Sequence, residues 1–145
     1  MKGATPGPDR AFFAYGTLMC ADLLAGVAGP PGPGRAARLY GYERRLVRGQ
    51  VYPGILPGIG GVVQGVLYPA IPVAGWDRLD RFEGAMYCRR SVEVQSEGGC
   101  WHRAQTYVVR PDCAARLSVE PWSLEVFAAA GKARFTAEYP GFRQL

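Results

Sequence analysis

Apolar and polar positions alternate most cleanly over YCRRSVEVQSEGGCWHRAQTYVVR, residues 87–110. Two alternating segments flank Gly98-Gly99, whose backbone freedom suits a tight turn, and this predicts a β-hairpin. AFFAYG, residues 11–16, is aromatic and free of charge, as a short buried strand should be. TLMCADLLAGV follows with Leu18, Leu23 and Leu24 around Asp22, a spacing for a short helix with Thr17 as its cap. RAARLYGYERRLVRG predicts a strand made irregular by Gly41, and VVQGVLYPA a second, in which Gly65 marks a bulge or a close backbone approach. VYPGILPGIGG between them carries two Pro-Gly steps and predicts a loop. PVAGWDRLDRFEG sets Trp76, Leu79 and Phe82/Glu83 at helical spacing, with Gly84 as the stop. PWSLEVFAAAGKARFTAEY predicts a last helix with Pro121 in its first turn and Trp122, Val126 and Ala129 on one face, divisible at Gly131.

The sum is an α+β arrangement of five or more mostly antiparallel strands, open or closed as a barrel, with helices packed outside. At 145 residues and 48% hydrophobic, the chain suits one domain over 1–145 with a core that needs no staples. MKGATPGPDR has no apolar run behind its lysine, so residues 1–10 read as a frayed terminus rather than a secretory signal. GPPGPGR, residues 29–35, reads as a surface loop. Charged or amide residues interrupt every apolar stretch before it reaches bilayer length, so no membrane partner is expected and the location expected is cytoplasmic.

Charge changes this picture little. The formal net charge of +5 is almost all arginine, since only Lys2 and Lys132 are lysines. The excess favours an acidic ligand or nucleic acid through long-range attraction. The arginines are dispersed through strand-like segments, however, and the aromatics beside them read as core, so no nucleic-acid partner is expected. Cys20, Cys88, Cys100 and Cys113 lie too far apart for a zinc knuckle or redox motif, and His102 is the lone histidine. No metal is expected, and the cysteines read as reduced, buried small hydrophobes. A Cys20–His102 nucleophilic pair would join residues distant in sequence, and GPPGPGR has prolines where a phosphate loop needs backbone donors.

Two places hold candidate chemistry. At AYGTLM a strand turns into a helix, and Gly16 permits the sharp corner that exposes the unpaired N–H groups of the first turn. Such a corner either binds a carboxylate or oxyanion, or is simply a helix start. In LDRFEG, Glu83 stands at a helix C-terminus, where an ionised carboxylate loses up to about 1 kcal/mol. That field, with burial beside Trp76, Phe82 or Tyr87 and with Asp80 three residues earlier, would raise its pKa toward the range of a general acid/base. Two rival readings stand beside it: a solvated glutamate at a frayed end, and an ion pair with Arg89 or Arg90, which occupy opposite faces of the following strand.

AYGTLM, then VYPGILPG, then LDRFEGAMYCRRSVEV, in that order, resembles the γ-glutamylcyclotransferase-like family, and more closely its branch of γ-glutamylamine cyclotransferases and plant avirulence-induced-gene proteins. The similarity runs from about Phe12 to Val94 and continues less closely through PWSLEVF. The resemblance implies a mixed, mostly antiparallel β-barrel of five to seven strands with flanking α-helices and neither metal nor cofactor. It also implies a small-molecule γ-glutamyl substrate that cyclises to 5-oxoproline as an amine leaves. By the same resemblance Glu83 is the catalytic residue and Tyr15, Gly16, Thr17 and Leu18 form the substrate-binding loop. Tyr52 and Pro53 match a motif beside the same cavity. The chain departs from the family pattern in GPPGPG and in Met19, where a lysine often follows YGTL. Those departures bear on the amine half of the substrate. A non-catalytic binding module that kept the barrel and its carboxylate pocket is the alternative.

Overall fold

The computed structural model describes residues 10–145. Of the terminus expected to fray, residues 1–9 lie outside the described residues, while Arg10 is tied down: its carbonyl accepts from the Ile71 N–H at 2.8 Å. Five strands form a closed barrel in the order β1-β3-β2-β4-β5. They are β1 (Phe12–Ala14), β2 (Arg35–Leu46), β3 (Pro53–Tyr68), β4 (Tyr87–Ser96) and β5 (Trp101–Val109). All pairs are antiparallel except the parallel contact of β1 with β5, at Phe12 and Gln105, which closes the ring. This is the mixed barrel with flanking helices that the pattern and the resemblance imply.

Side-chain alternation explains why the chain contains two apolar clusters. Inward positions, including Phe13, Leu39, Ile55, Val63, Val92, Val94 and Val108, fill the barrel. Outward positions on the covered side, including Phe12, Ala14, Tyr68, Tyr87 and Tyr107, pack under the helices. β1 contributes to both clusters, so it is buried on both faces and reads as an unbroken apolar run.

The helices are α1 (Ala21–Ala28), α2 (Gly75–Glu83), α3 (Leu124–Val126) and α4 (Lys132–Glu138). In α2, Trp76, Leu79 and Phe82 fall on the buried face, as their spacing predicts, and Gly84 ends the helix with φ of 83°, a left-handed value that glycine adopts without strain. Phe82 is the centre of an aromatic cluster, with ring centroids 4.9 Å from Tyr139, 5.0 Å from Phe142 and 6.1 Å from Phe135. Each edge-on or offset pair of this kind adds about 0.5–1.5 kcal/mol beyond the area it buries.

Three expectations need correction. Thr17 does not cap α1: Thr17–Met19 is a separate 3-10 turn, and Cys20 is the N-cap residue. The two Pro-Gly steps do not form a loop, because β3 runs through them. Over that half β3 pairs with β2 alone, β1 joining over Val66 to Tyr68, so the N–H groups missing at Pro53 and Pro57 face no second strand. The irregularity expected at Gly41 is present, since the β2–β3 register shifts there. The last helix begins at Leu124, after Ser123, whose hydroxyl accepts from the Val126 N–H at 3.3 Å. The Pro121 start would place Val126 inside, but it is exposed; a π-turn over Phe127–Gly131 joins α3 to α4, and the inward face is Phe127, Gly131 and Phe135.

Burial separates the cost of substitutions sharply. Phe82→Ala empties a fully enclosed site and should lower unfolding free energy by about 3–5 kcal/mol. Val62→Ser, on the exposed wall of β3, should stay within about 0.5 kcal/mol. Urea denaturation followed by tryptophan fluorescence measures both.

Candidate active site

β1 leads directly into the first part of the site. Continuing its alternation, Tyr15 points inward, and its hydroxyl donates to the Tyr107 carbonyl at 2.7 Å. Arg44 on β2 fixes the corner from outside, one guanidinium nitrogen donating to the carbonyls of Tyr15 and Gln64, each at 2.8 Å. Gly16 has no room for a side chain, because a Cβ would sit 2.9 Å from Pro53 Cγ. The YGTL and YPG segments therefore pack directly against each other. The 3-10 turn closes through Met19 N–H to Gly16 carbonyl (2.9 Å) and Cys20 N–H to Thr17 carbonyl (3.1 Å). The N–H groups of Gly16, Thr17 and Leu18 donate to no partner among the described residues.

Facing this corner is the end of α2. Glu83 lines the same cavity as Tyr15, Gly16, Thr17 and Leu18, together with Tyr52, Pro53, Phe82, Tyr87, Phe135 and Tyr139. The structure thus gathers all five residues singled out from the sequence, from segments more than sixty positions apart. As a whole residue Glu83 is half-buried, but its carboxyl lies among the aromatic side chains that wall the cavity. Burial pushes that carboxyl from its ordinary 4.5 up to about 8, and the nearby charge of Asp80 adds to the rise. Among the described residues it makes no ion pair, and no side-chain hydrogen bond reaches it. The solvated-glutamate reading therefore fails.

The ion-pair reading holds for the neighbouring acid instead. Asp80 receives Arg89 Nε at 3.1 Å and the Tyr107 hydroxyl at 2.7 Å, and the Arg89 guanidinium rests 4.9 Å from the centre of the Trp76 ring. Two carboxylates one helical turn apart thus have opposite surroundings. Asp80 stays partly exposed and neutralised, whereas Glu83 is enclosed and unpaired. Arg90, on the opposite strand face, is exposed and takes no part.

Tyrosines complete the enclosure, and of these the sequence pattern did not single out Tyr107 and Tyr139. Tyr87 donates to the Pro53 carbonyl at 2.8 Å, and Tyr139, from the far end of the chain, donates to the Glu83 backbone carbonyl at 3.1 Å. Burial raises the phenols of Tyr15, Tyr87, Tyr107 and Tyr139, so they remain protonated donors at neutral pH. The VYPG motif, Tyr52 and Pro53, does lie beside this cavity, where Pro53 forms the seat for Gly16. The cavity itself is narrow, about 30 Å³, and beyond Glu83 it meets a wider recess of about 450 Å³.

The remaining candidates do not converge. His102 lies 3.2 Å from Ser96 Oγ beside the β4–β5 turn, while Cys20 caps α1. All four cysteines are free thiols, but none is buried as expected: Cys20, Cys88 and Cys113 are half-buried at strand and helix ends or turns and Cys100 is exposed. Among the described residues no three His, Cys, Asp or Glu side chains cluster as a metal site would require, and no helix is long and apolar enough to cross a membrane.

Comparison with known proteins places this arrangement. The family described as "Gamma-glutamyl cyclotransferase, AIG2-like" matches residues 12–124. AIG2-like protein D of Arabidopsis thaliana is 32% identical over 119 residues, covering 78% of this chain and 78% of its own. Protein AIG2 A of the same plant is 26% identical over 104 residues, 65% of this chain but only 55% of that protein's length. A solved structure titled "Gamma-glutamyl cyclotransferase" superposes with a TM-score of 0.59 at 20% identity, covering 70% of this chain and 66% of that one, a likeness of fold. The chain belongs to the gamma-glutamyl cyclotransferase, AIG2-like family.

Proposed function

We propose that this protein cyclises a γ-glutamyl amine or peptide to 5-oxoproline and releases the free amine, with Glu83 as the proton carrier. The observation that carries the reading is an enclosed carboxyl with no cationic partner, across a narrow cavity from a corner of unpaired backbone N–H groups. An acid so placed lacks only the charge that a bound ammonium would bring.

The substrate's α-ammonium enters beside Glu83, and that positive charge favours the ionised carboxylate. Glu83 accepts one proton, leaving a neutral amine. Its nitrogen attacks the γ-carbonyl carbon of the same molecule, and the new C–N bond closes a five-membered ring. Charge develops on the former carbonyl oxygen, where main-chain donors of Gly16, Thr17 and Leu18 lower its energy. Those donors, with Tyr15 behind them, alternatively hold the α-carboxylate. As the original C–N bond breaks, Glu83 returns its proton to the departing nitrogen, and the second proton lost by the ring nitrogen leaves with the amine, which departs as an ammonium ion. The products are 5-oxoproline and the amine, with no water consumed. Ring closure is already intramolecular, so the cavity contributes chiefly by holding the chain folded, with nitrogen and carbon in attacking range. No step of this sequence calls on a metal or cofactor.

The narrowness of the cavity supports a second reading, a binding module without turnover. Calorimetric binding of 5-oxoproline or a γ-glutamyl compound, with no product across a broad panel, would select it.

Glu83→Gln keeps the shape and removes the titratable group. Release of 5-oxoproline from γ-glutamyl compounds should fall by about 10²–10⁴-fold or more, and full activity in this variant would remove Glu83 from the mechanism. For the native protein kcat/KM should climb with pH and level off above about 8, because the free enzyme must hold the carboxyl ionised. Stability should move oppositely. With a folded pKa of about 8 against an ordinary 4.5, the folded state holds the proton more tightly, so stability declines as pH rises between those values. Glu83→Gln escapes that decline, and its melting temperature should exceed the native one increasingly from pH 5 to pH 9; equal melting curves at pH 9 would contradict the burial argument.

A further inference from the structure

Resting on the cyclisation just proposed, we infer that Tyr139 is a gate: its ring closes the cavity between Glu83 and the Gly16–Leu18 corner, and a glutamyl group enters and stays only with that ring displaced. The Tyr139 hydroxyl, donating to the Glu83 carbonyl, is the latch of the closed state.

Size requires a moving wall. The cavity, at about 30 Å³, holds about two water molecules. A glutamyl group, or the 5-oxoproline it becomes, is several times larger, and pockets that enclose small ligands have volumes of about 300–1,000 Å³. The closed state therefore admits neither substrate nor product, and binding must draw on an open one.

Placement says which wall yields. Tyr139 and Tyr52 border three spaces at once: the narrow cavity, a void of about 10 Å³ and the open recess of about 450 Å³. Their rings meet edge to face, with 5.0 Å between centroids, and form the partition. Other lining groups are fixed. Phe12–Ala14 lie in the barrel ladder, and the Tyr15 and Tyr87 hydroxyls are committed to the carbonyls of Tyr107 and Pro53. Tyr52 directly precedes β3, its carbonyl held by the Val47 N–H at 3.0 Å. Tyr139, by contrast, is half-buried at the end of α4, and among the described residues no backbone hydrogen bond joins 132–145 to the barrel. That segment is held by its aromatic cluster and by side-chain bonds: Lys132 to Asp22, Arg134 to the Gly49 carbonyl and Arg81 to the Gln144 carbonyl. Segments held in this way open locally more readily than a sheet does.

A turn of the Tyr139 ring breaks one neutral hydrogen bond of 3.1 Å and carries the ring toward the recess. Phe135 and Phe142 still pack on Phe82 and so keep Glu83 in place. Tyr139 also lies beyond residue 124, where the family match ends, so the gate comes from outside the stretch that carries the family's motifs.

Binding of 5-oxoproline reads the gate whether or not turnover follows. The protein is labelled with 3-fluorotyrosine, and the Tyr139 signal is assigned by its loss in Tyr139→Phe. Saturating 5-oxoproline should shift that signal and give it the water-to-deuterium-oxide isotope shift of an exposed ring, with the exposure of Tyr15 and Tyr87 unchanged. Tyr139→Leu, too short to close the partition, should bind 5-oxoproline about fivefold more tightly by calorimetry, the factor set by one ordinary hydrogen bond that no longer has to break. It should lower KM for γ-glutamyl compounds by a similar factor and change kcat less. A side chain that merely packs against the ligand would give weaker binding when shortened. Circular dichroism establishes that Tyr139→Leu is folded, and if it is not, the fluorine signal of the native sequence decides. Binding of 5-oxoproline with the Tyr139 signal unmoved, or an affinity unchanged or weaker in folded Tyr139→Leu, overturns the gate while leaving cyclisation standing. Absence of both binding and turnover overturns the cyclisation and the gate together.

Discussion

The site depends on a carboxyl being taken out of water without receiving a counter-charge. Burying an ionisable group alone is unfavourable, and the group responds by holding its proton, which is why Glu83 is displaced to about 8. Something must keep it there against the tendency of a helix end to fray into solvent. Phe82, the residue before it, is locked into the aromatic cluster of Phe135, Tyr139 and Phe142, and Tyr139 also grips the Glu83 carbonyl. Hydrophobic packing at one residue thus fixes the electrostatics of the next.

Asp80 shows how narrow the distinction is. It shares the helix and nearly the face of Glu83, yet Arg89 and Tyr107 neutralise it at the rim. Had Arg89 reached one turn further, Glu83 would be an ordinary ion-paired acid and the cavity would hold no proton carrier. Instead Arg89 is occupied by Asp80 and by the face of Trp76. The pairing leaves Asp80 near enough to raise Glu83 but too well compensated to compete for its role.

The opposite wall of the cavity owes its shape to a backbone fit. Gly16 against Pro53 brings β1 and the start of β3 closer than any larger residue would allow, and Arg44 holds the carbonyl of Tyr15 by a hydrogen bond. Among the described residues, three consecutive N–H groups beside this glycine, proline and arginine have no partner. A corner of free donors and an enclosed acid have complementary uses, one for developing negative charge and one for a proton in transit.

Much of this was legible in the chain. The hairpin at Gly98-Gly99, the stop at Gly84, the buried face of α2 and the corner at Gly16 all follow from local backbone chemistry and side-chain period, which a sequence states directly. The order of YGTL, VYPG and LDRFEG motifs also brought out Glu83 and Tyr15–Leu18 before any coordinates. What local pattern could not supply was the partner of each group. Whether Arg89 meets Asp80 or Glu83, which tyrosines close over the cavity, and why two Pro-Gly steps can lie in a strand all turn on contacts between segments distant in sequence. The phase of the last helix is of the same kind, since a π-turn and the demand for aromatic volume against Phe82 override a count from Pro121. The sequence determined where a carboxyl and a sharp turn would occur; tertiary structure alone decided that they line one cavity with no counter-charge beside the carboxyl among the described residues, because dielectric and pairing are properties of surroundings rather than of residues.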